Sequence, residues 1–291
     1  MSRGIDSVGI VIPKKWADQY SLKKGDEIDL DIVGEKIVIG ADSKLIKSVT
    51  VDITQFNSSL IYRQIFALYC AGYDVLILKF ENKTVEDFRS KKMMKPQELI
   101  GLIVDGLIGF EISEEKKNQV VIKELSSVKK EEFFPHFRKL FFQVQQLATD
   151  CKNALISGNK EELETISRQD RRLNRFALYC IRILNKAGAK QPYHTAVFYS
   201  IIQSLEYMGD EISKLSQMGR LSKENMQLFE LMIQGFDVYT KLFFEHDQKY
   251  FSEFYVIRRK FQSQWNDKLN LHLYTLMDTM TTLLDRKMEL V

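Results

Sequence analysis

The chain has 291 residues, of which 45% are hydrophobic and 28% charged, and a formal net charge of +3. This composition is that of a soluble globular protein, and the length has room for about two domains, or three small ones. The small charge excludes a uniformly basic polymer binder, so any nucleic-acid surface must be a local patch.

No apolar run approaches the ~18 residues of a membrane span. The first residues, Met1 to Ser7, lack the apolar core of a secretory signal, so the expected compartment is the cytoplasm. Cys70, Cys151 and Cys180 lie far apart with no C-x-x-C pair, which indicates buried core thiols rather than a zinc knuckle or disulfide framework. Nine of the 14 glycines precede residue 128. A turn-rich front therefore leads into a helical back, with the charged stretch around Ser126–Glu132 as the boundary.

In chain order, Val8–Ile12 is a short β-branched strand that Pro13 stops. Lys14–Tyr20 makes one or two helical turns, and Leu22–Glu27 is a turn built on Gly25. Ile28–Val33 and Lys36–Ile39 form a hairpin across Gly34-Glu35. A piece this small cannot bury an adequate core alone, so it is expected to dimerise.

Val11-Ile12-Pro13-Lys14, followed by Leu22-Lys23-Lys24-Gly25-Asp26, resembles the AbrB/MazE/SpoVT group of swapped-hairpin DNA-binding domains, whose pattern is I-P-K, about ten residues, then L-x-x-G-D. The resemblance implies an interleaved homodimer over residues 1–48. It places Arg3, Lys14 and Lys15 on DNA, where phosphate contact is the role open to such side chains; Lys23 and Lys24 are weaker candidates.

Residues 49–127 read as a small α/β connector domain. A strand at Ser48–Ile53 leads to a helix capped by Thr54 or Asn57 and stopped at Gly72. Val75–Phe80 is a buried strand by its continuous apolar run. A helix over Lys95–Val104, with Pro96 in its first turn, precedes strands at Ile108–Ile112 and Gln119–Ile122. The neighbourhood of Arg63 and Tyr69–Tyr73 resembles a connector that joins AbrB-like and helical domains.

From residue 128 the pattern is helical. Gly158, Gly188 and Gly219 stand 30 and 31 residues apart, each in a break, which predicts antiparallel helices joined by tight turns. Leu163, Ile166, Asp170, Leu173, Ala177, Cys180 and Leu184 make one core stripe, and Asp170 occupies one of its slots. A buried carboxylate needs a partner, either a cation or a metal. The next helix packs through Val197, Ile201, Leu205, Met208, Ile212 and Leu215, with Glu206 and Asp210 on its shoulder. Two adjacent helices thus bring Asp170 and Asn174 towards Glu206 and Asp210. Four oxygen ligands of this kind suit a hard or borderline cation.

Asp170-x-x-x-Asn174, with Leu205-Glu206-x-x-Gly209-Asp210 on the following helix, is similar to the PhoU family. That resemblance implies an all-α bundle of two three-helix repeats over residues 128–291 and a role in phosphate uptake. It also implies a metal ion (iron, zinc or magnesium) on Asp170, Asn174, Glu206 and Asp210. Asn174 departs from the expected carboxylate. Sliding the chain by 88 residues puts Asp170 on Arg258 and Asn174 on Gln262; separately, at the end of the chain, Thr281 and Asp285 occupy the places of Glu206 and Asp210. The second metal site therefore looks lost, with an Arg258–Asp285 ion pair in its stead.

The histidines His136, His194, His246 and His272 are scattered without ligand spacing, and the Phe133-Phe134, Phe141-Phe142 and Phe243-Phe244 doublets read as helical core. Arg168, Arg171, Arg172 and Arg175 form a basic cluster around Asp170. No nucleophile–base pair points to an enzyme. The expected protein is an α+β multidomain, homodimeric, DNA-binding transcriptional regulator of phosphate uptake. The alternative is a dimeric adaptor that regulates a phosphate transporter or kinase by protein contact, without specific DNA binding.

Overall fold

The computed structural model describes residues 9–33, 36–40, 46–81, 83–188, 194–245, 247–266 and 270–290. The chain divides into two compact units, Met1–Lys47 and Ser48–Val291.

In the first unit, Pro13 precedes helix α1 (Lys14–Gln19), and the Trp16 and Tyr20 rings meet on it at 4.8 Å. Gly25, at φ +102°, supplies the left-handed residue of the following turn. Strands β1 (Asp29–Val33) and β2 (Lys36–Gly40) pair antiparallel, Leu30 facing Ile39. Residues 9–12 form no strand, contrary to the β-branched pattern; Val8 lies outside the described residues. A strand needs a ladder partner, and here Ile10 and Val11 are exposed, Val11 at 93%. No residue of α1 is buried.

The second unit opens with β3 (Ser48–Asp52), helix α2 (Ser58–Cys70) and β4 (Val75–Lys79). The two strands are parallel, so α2 is their crossover. Asn57 caps α2 by accepting from the Leu60 N–H. Strands β5 (Val85–Glu86) and β6 (Met93–Met94) form a two-residue hairpin that the sequence reading missed, since such short strands show no periodicity. Helix α3 (Pro96–Val104) and the hairpin of β7 (Phe110–Lys116) and β8 (Gln119–Glu124) complete a four-stranded sheet of order β3-β4-β8-β7. Leu76, Leu78, Val120 and Ile122 are fully buried in its two central strands.

Six helices follow: α4 (Phe133–Ser157), α5 (Lys160–Ala187), α6 (His194–Gln217), α7 (Lys223–Glu245), α8 (Lys249–Gln264) and α9 (Leu271–Met288). Gly158, Gly188 and Gly219 all take positive φ in the breaks. α4, α5 and α6 pack on one another; α7 packs on α8 and α9. The two groups meet through α4 against α7 and α6 against α9, so the first and third helices of each group form the interface. Phe137, Phe141, Phe236, Tyr239 and Phe243 fill that seam. Each phenylalanine doublet splits, because adjacent helical residues point to different faces: Phe133, Phe141 and Phe243 are buried, while Phe134 and Phe142 are exposed. No described helix is long and apolar enough to cross a membrane.

The sheet and the helices share one core. At their junction, the fully buried Arg182 of α5 donates from Nη1 to the Tyr69 carbonyl at 2.7 Å. Its Nη2 lies 3.0 Å from Glu124 Oε1, and its guanidinium covers the Phe110 ring at 4.6 Å. Lys186, one turn on, bonds Asp74 at 2.5 Å and Glu124 at 2.6 Å. The stem of Lys186 lies across Gly72, where a Cβ would come 2.8 Å from its Cγ.

Candidate functional site

Two sets of expected residues can be located. Lys14 and Lys15 stand exposed at the start of α1, with Lys23 and Lys24 exposed in the turn beyond it; Arg3 and His246 lie outside the described residues. Arg63 is exposed on α2.

The second set lies where α5 crosses α6. Asp170 is 9% exposed. Gly209 lets the two helices approach: a Cβ there would sit 2.3 Å from Leu173 Cδ2 and 3.0 Å from Asp170 Oδ1. The glycine in Leu205-Glu206-x-x-Gly209-Asp210 is thus a packing requirement. Asp170 Oδ1 and Asn174 Oδ1 are both buried without a hydrogen-bond partner. The carboxyls of Asp170, Glu206 and Asp210 feel one another. Burial, then the charges of Asp210 and Asp170, push the Glu206 carboxyl up to about 7. Burial and the Asp210 charge push Asp170 up to about 6, against the opposing pull of Arg171 and Lys214. Asp210 is also raised, chiefly by burial, while Lys214 and the Asn174 amide hold it down. This is a self-repelling acidic cluster.

The structure therefore gathers the four residues expected to share a cation. Among the described residues, however, no group of three or more His, Cys, Asp or Glu has an arrangement that can hold a metal ion.

At the equivalent place in the second group of helices, Arg258 Nε donates to Thr281 Oγ1 at 3.1 Å. The guanidinium is hydrogen-bonded to the residue aligned with Glu206, not to Asp285 as expected. A charge-assisted hydrogen bond from a guanidinium to a hydroxyl thus stands where the first group has its acidic cluster.

Two features were not foreseen. Glu211, 3% exposed, meets His272 Nδ1 of α9 at 2.6 Å and Lys214 at 2.6 Å, so His272 carries an inter-helix contact across the seam. The other is Arg182, a basic residue in an otherwise apolar run, Cys180 to Leu184. Its charge, placed off the α5 core stripe, gave no hint of burial. The three cysteines are free, and burial pushes each thiol up to about 12, which makes them poor nucleophiles.

Asn174, Glu206 and Asp210 also line a cleft of about 690 Å³ between α2–α3 and α5–α6. Four arginines of α5 and Arg89 line the same cleft.

Residues 6–47 match the family described as antidote-toxin recognition MazE, bacterial antitoxin. No curated protein and no solved structure matches the chain.

Proposed function

We propose that the chain is a DNA-binding regulator. Residues 1–47 would form, from two copies, the DNA-contacting module, and residues 48–291 would form the signal-receiving body. The match of residues 6–47 to the MazE antitoxin family carries this reading. Packing supports it. Ile10, Val11, Leu30 and Ile37 are all more than half exposed, and a unit with so little interior gains a core by taking a second copy. Lys14 and Lys15, with Arg3, are the phosphate-contacting side chains in this scheme. Phosphate uptake as the regulated process rests solely on the likeness of Asp170-x-x-x-Asn174 and Leu205–Asp210 to PhoU domains.

A second reading keeps the dimer and drops the DNA: an adaptor acting by protein contact on a transporter, a kinase or a toxin. Eight acids balance eight bases in residues 1–48, which favours it. Selection of bound fragments from a random duplex pool, followed by footprinting, separates the two. Enrichment of one sequence with a protected site supports the regulator; recovery of the unselected pool leaves the adaptor.

A further inference from the structure

The cleft between α2–α3 and α5–α6 belongs entirely to the second unit. Its basic wall follows from helix geometry. Arg168, Arg171, Arg172 and Arg175 stand at i, i+3, i+4 and i+7, which is one stripe of α5. Like charges at these spacings repel, yet Arg171, Arg172 and Arg175 have no ion-pair partner among the described residues. Arg168 reaches the Thr165 hydroxyl, at 3.3 Å, and no carboxylate among the described residues. From the facing wall comes Arg89, whose guanidinium stacks 4.3 Å above the Tyr62 ring. That cation–π contact holds a fifth fork at the cleft edge.

Charge decides the sign of the ligand. Five arginines line the cleft against three carboxylates, those of Asp105, Glu206 and Asp210. Every basic group is an arginine, whose planar fork binds phosphate oxygens in pairs, which a lysine does not do. The remaining lining is of two kinds. Phe66, Leu102, Ala177 and Ile181 give an apolar floor, and Leu102 is 54% exposed there. Gln203, Glu206 and Asp210 give a row of acceptors along α6. The volume of about 690 Å³ falls within the ~300–1,000 Å³ of small-molecule sites.

We propose that this cleft binds a nucleotide: phosphates on the α5 arginines and Arg89, the base on the floor of Phe66 and Leu102, and hydroxyl or N–H donors on the α6 acceptors. The inference concerns the body alone and is tested without DNA, so it stands or falls separately from the reading above.

The test is calorimetric titration of the full-length chain with adenine and guanine nucleoside mono-, di- and triphosphates, adenosine and inorganic phosphate. The expected result is saturable binding of at least one nucleotide, at least tenfold tighter than inorganic phosphate or adenosine. Arg171→Ala/Arg175→Ala should weaken it at least tenfold, and Leu102→Glu should do the same from the floor. All three side chains replaced are exposed, and an unchanged melting temperature checks that the fold is kept. The proposal is overturned if no nucleotide binds more tightly than inorganic phosphate, or if both variants bind as the wild type does.

Discussion

At the scale of single residues, the crossing of α5 and α6 is where sequence and chemistry meet most directly. Gly209 is there because Leu173 and Asp170 occupy the space of a side chain. Gly209→Ala forces the helices apart or Leu173 off its rotamer, and should destabilise the chain by about 1–3 kcal/mol. Thermal melts of Gly209→Ala in the wild-type and in the Leu173→Ala background check this, the added loss being smaller in the second. The acidic cluster yields a pH prediction. Glu206 and Asp170 have folded values above their ordinary ones, about 7 and about 6. The folded chain therefore holds extra protons in the window between about pH 4 and 7, and these carboxyls lower stability as pH rises through it. Glu206→Gln removes part of that loss. Discounted for solvent screening, the gain at about pH 8 should be on the order of 1 kcal/mol, with none near pH 4. Melting curves across pH read it. A variant less stable than wild type at pH 8 would mean that the carboxylate is held by a cation after all.

At the scale of elements, Arg182 ties the sheet to the helices. Its removal leaves the buried Glu124 with Lys186 alone, so Arg182→Ala should cost about 3 kcal/mol. The loss should fall on the α2–α5 junction, where hydrogen exchange of α2 amides would rise before that of α4. Most elements were legible because their signals are local. The glycine breaks marked the turns between α4, α5, α6 and α7, and the stripe from Leu163 to Leu184 marked the buried face of α5. Of the two caps the sequence offered for α2, Thr54 and Asn57, it is Asn57 that starts the helix. What stayed hidden depends on partners distant in sequence. Arg182 is buried only because Tyr69, Phe110 and Glu124 converge on it. Arg89 joins the α5 arginines only because the β5–β6 hairpin carries it to the cleft. The expected strand before Pro13 has the right residues, yet its described part, residues 9–12, has no ladder partner, a fact periodicity cannot carry. At the candidate site, spacing foretold which residues of α5 and α6 would face each other. It did not foretell that burial and mutual repulsion would raise the Glu206 and Asp170 carboxyls.

At the scale of the whole molecule, the chain joins a small unit in which no described side chain is buried to a large one with a continuous core. The exposed Val11 and Ile10 are the strongest physical argument that the small unit works as a pair. Val11→Asp should therefore lower the association constant of the full-length chain at least tenfold, read by sedimentation velocity, and leave the melting of the helical body unchanged. The central claim is that this paired unit binds DNA. The most direct measurement is duplex-DNA affinity of the full-length chain against salt concentration, for wild type and for Lys14→Ala/Lys15→Ala. The account predicts a linear fall of log affinity with log salt, from counterion release. The slope should shrink by about 2 in the double variant if each lysine meets a phosphate in one protomer, and by about 4 if both protomers engage. An affinity that is absent at low salt, or a slope that the double variant leaves unchanged, would contradict it.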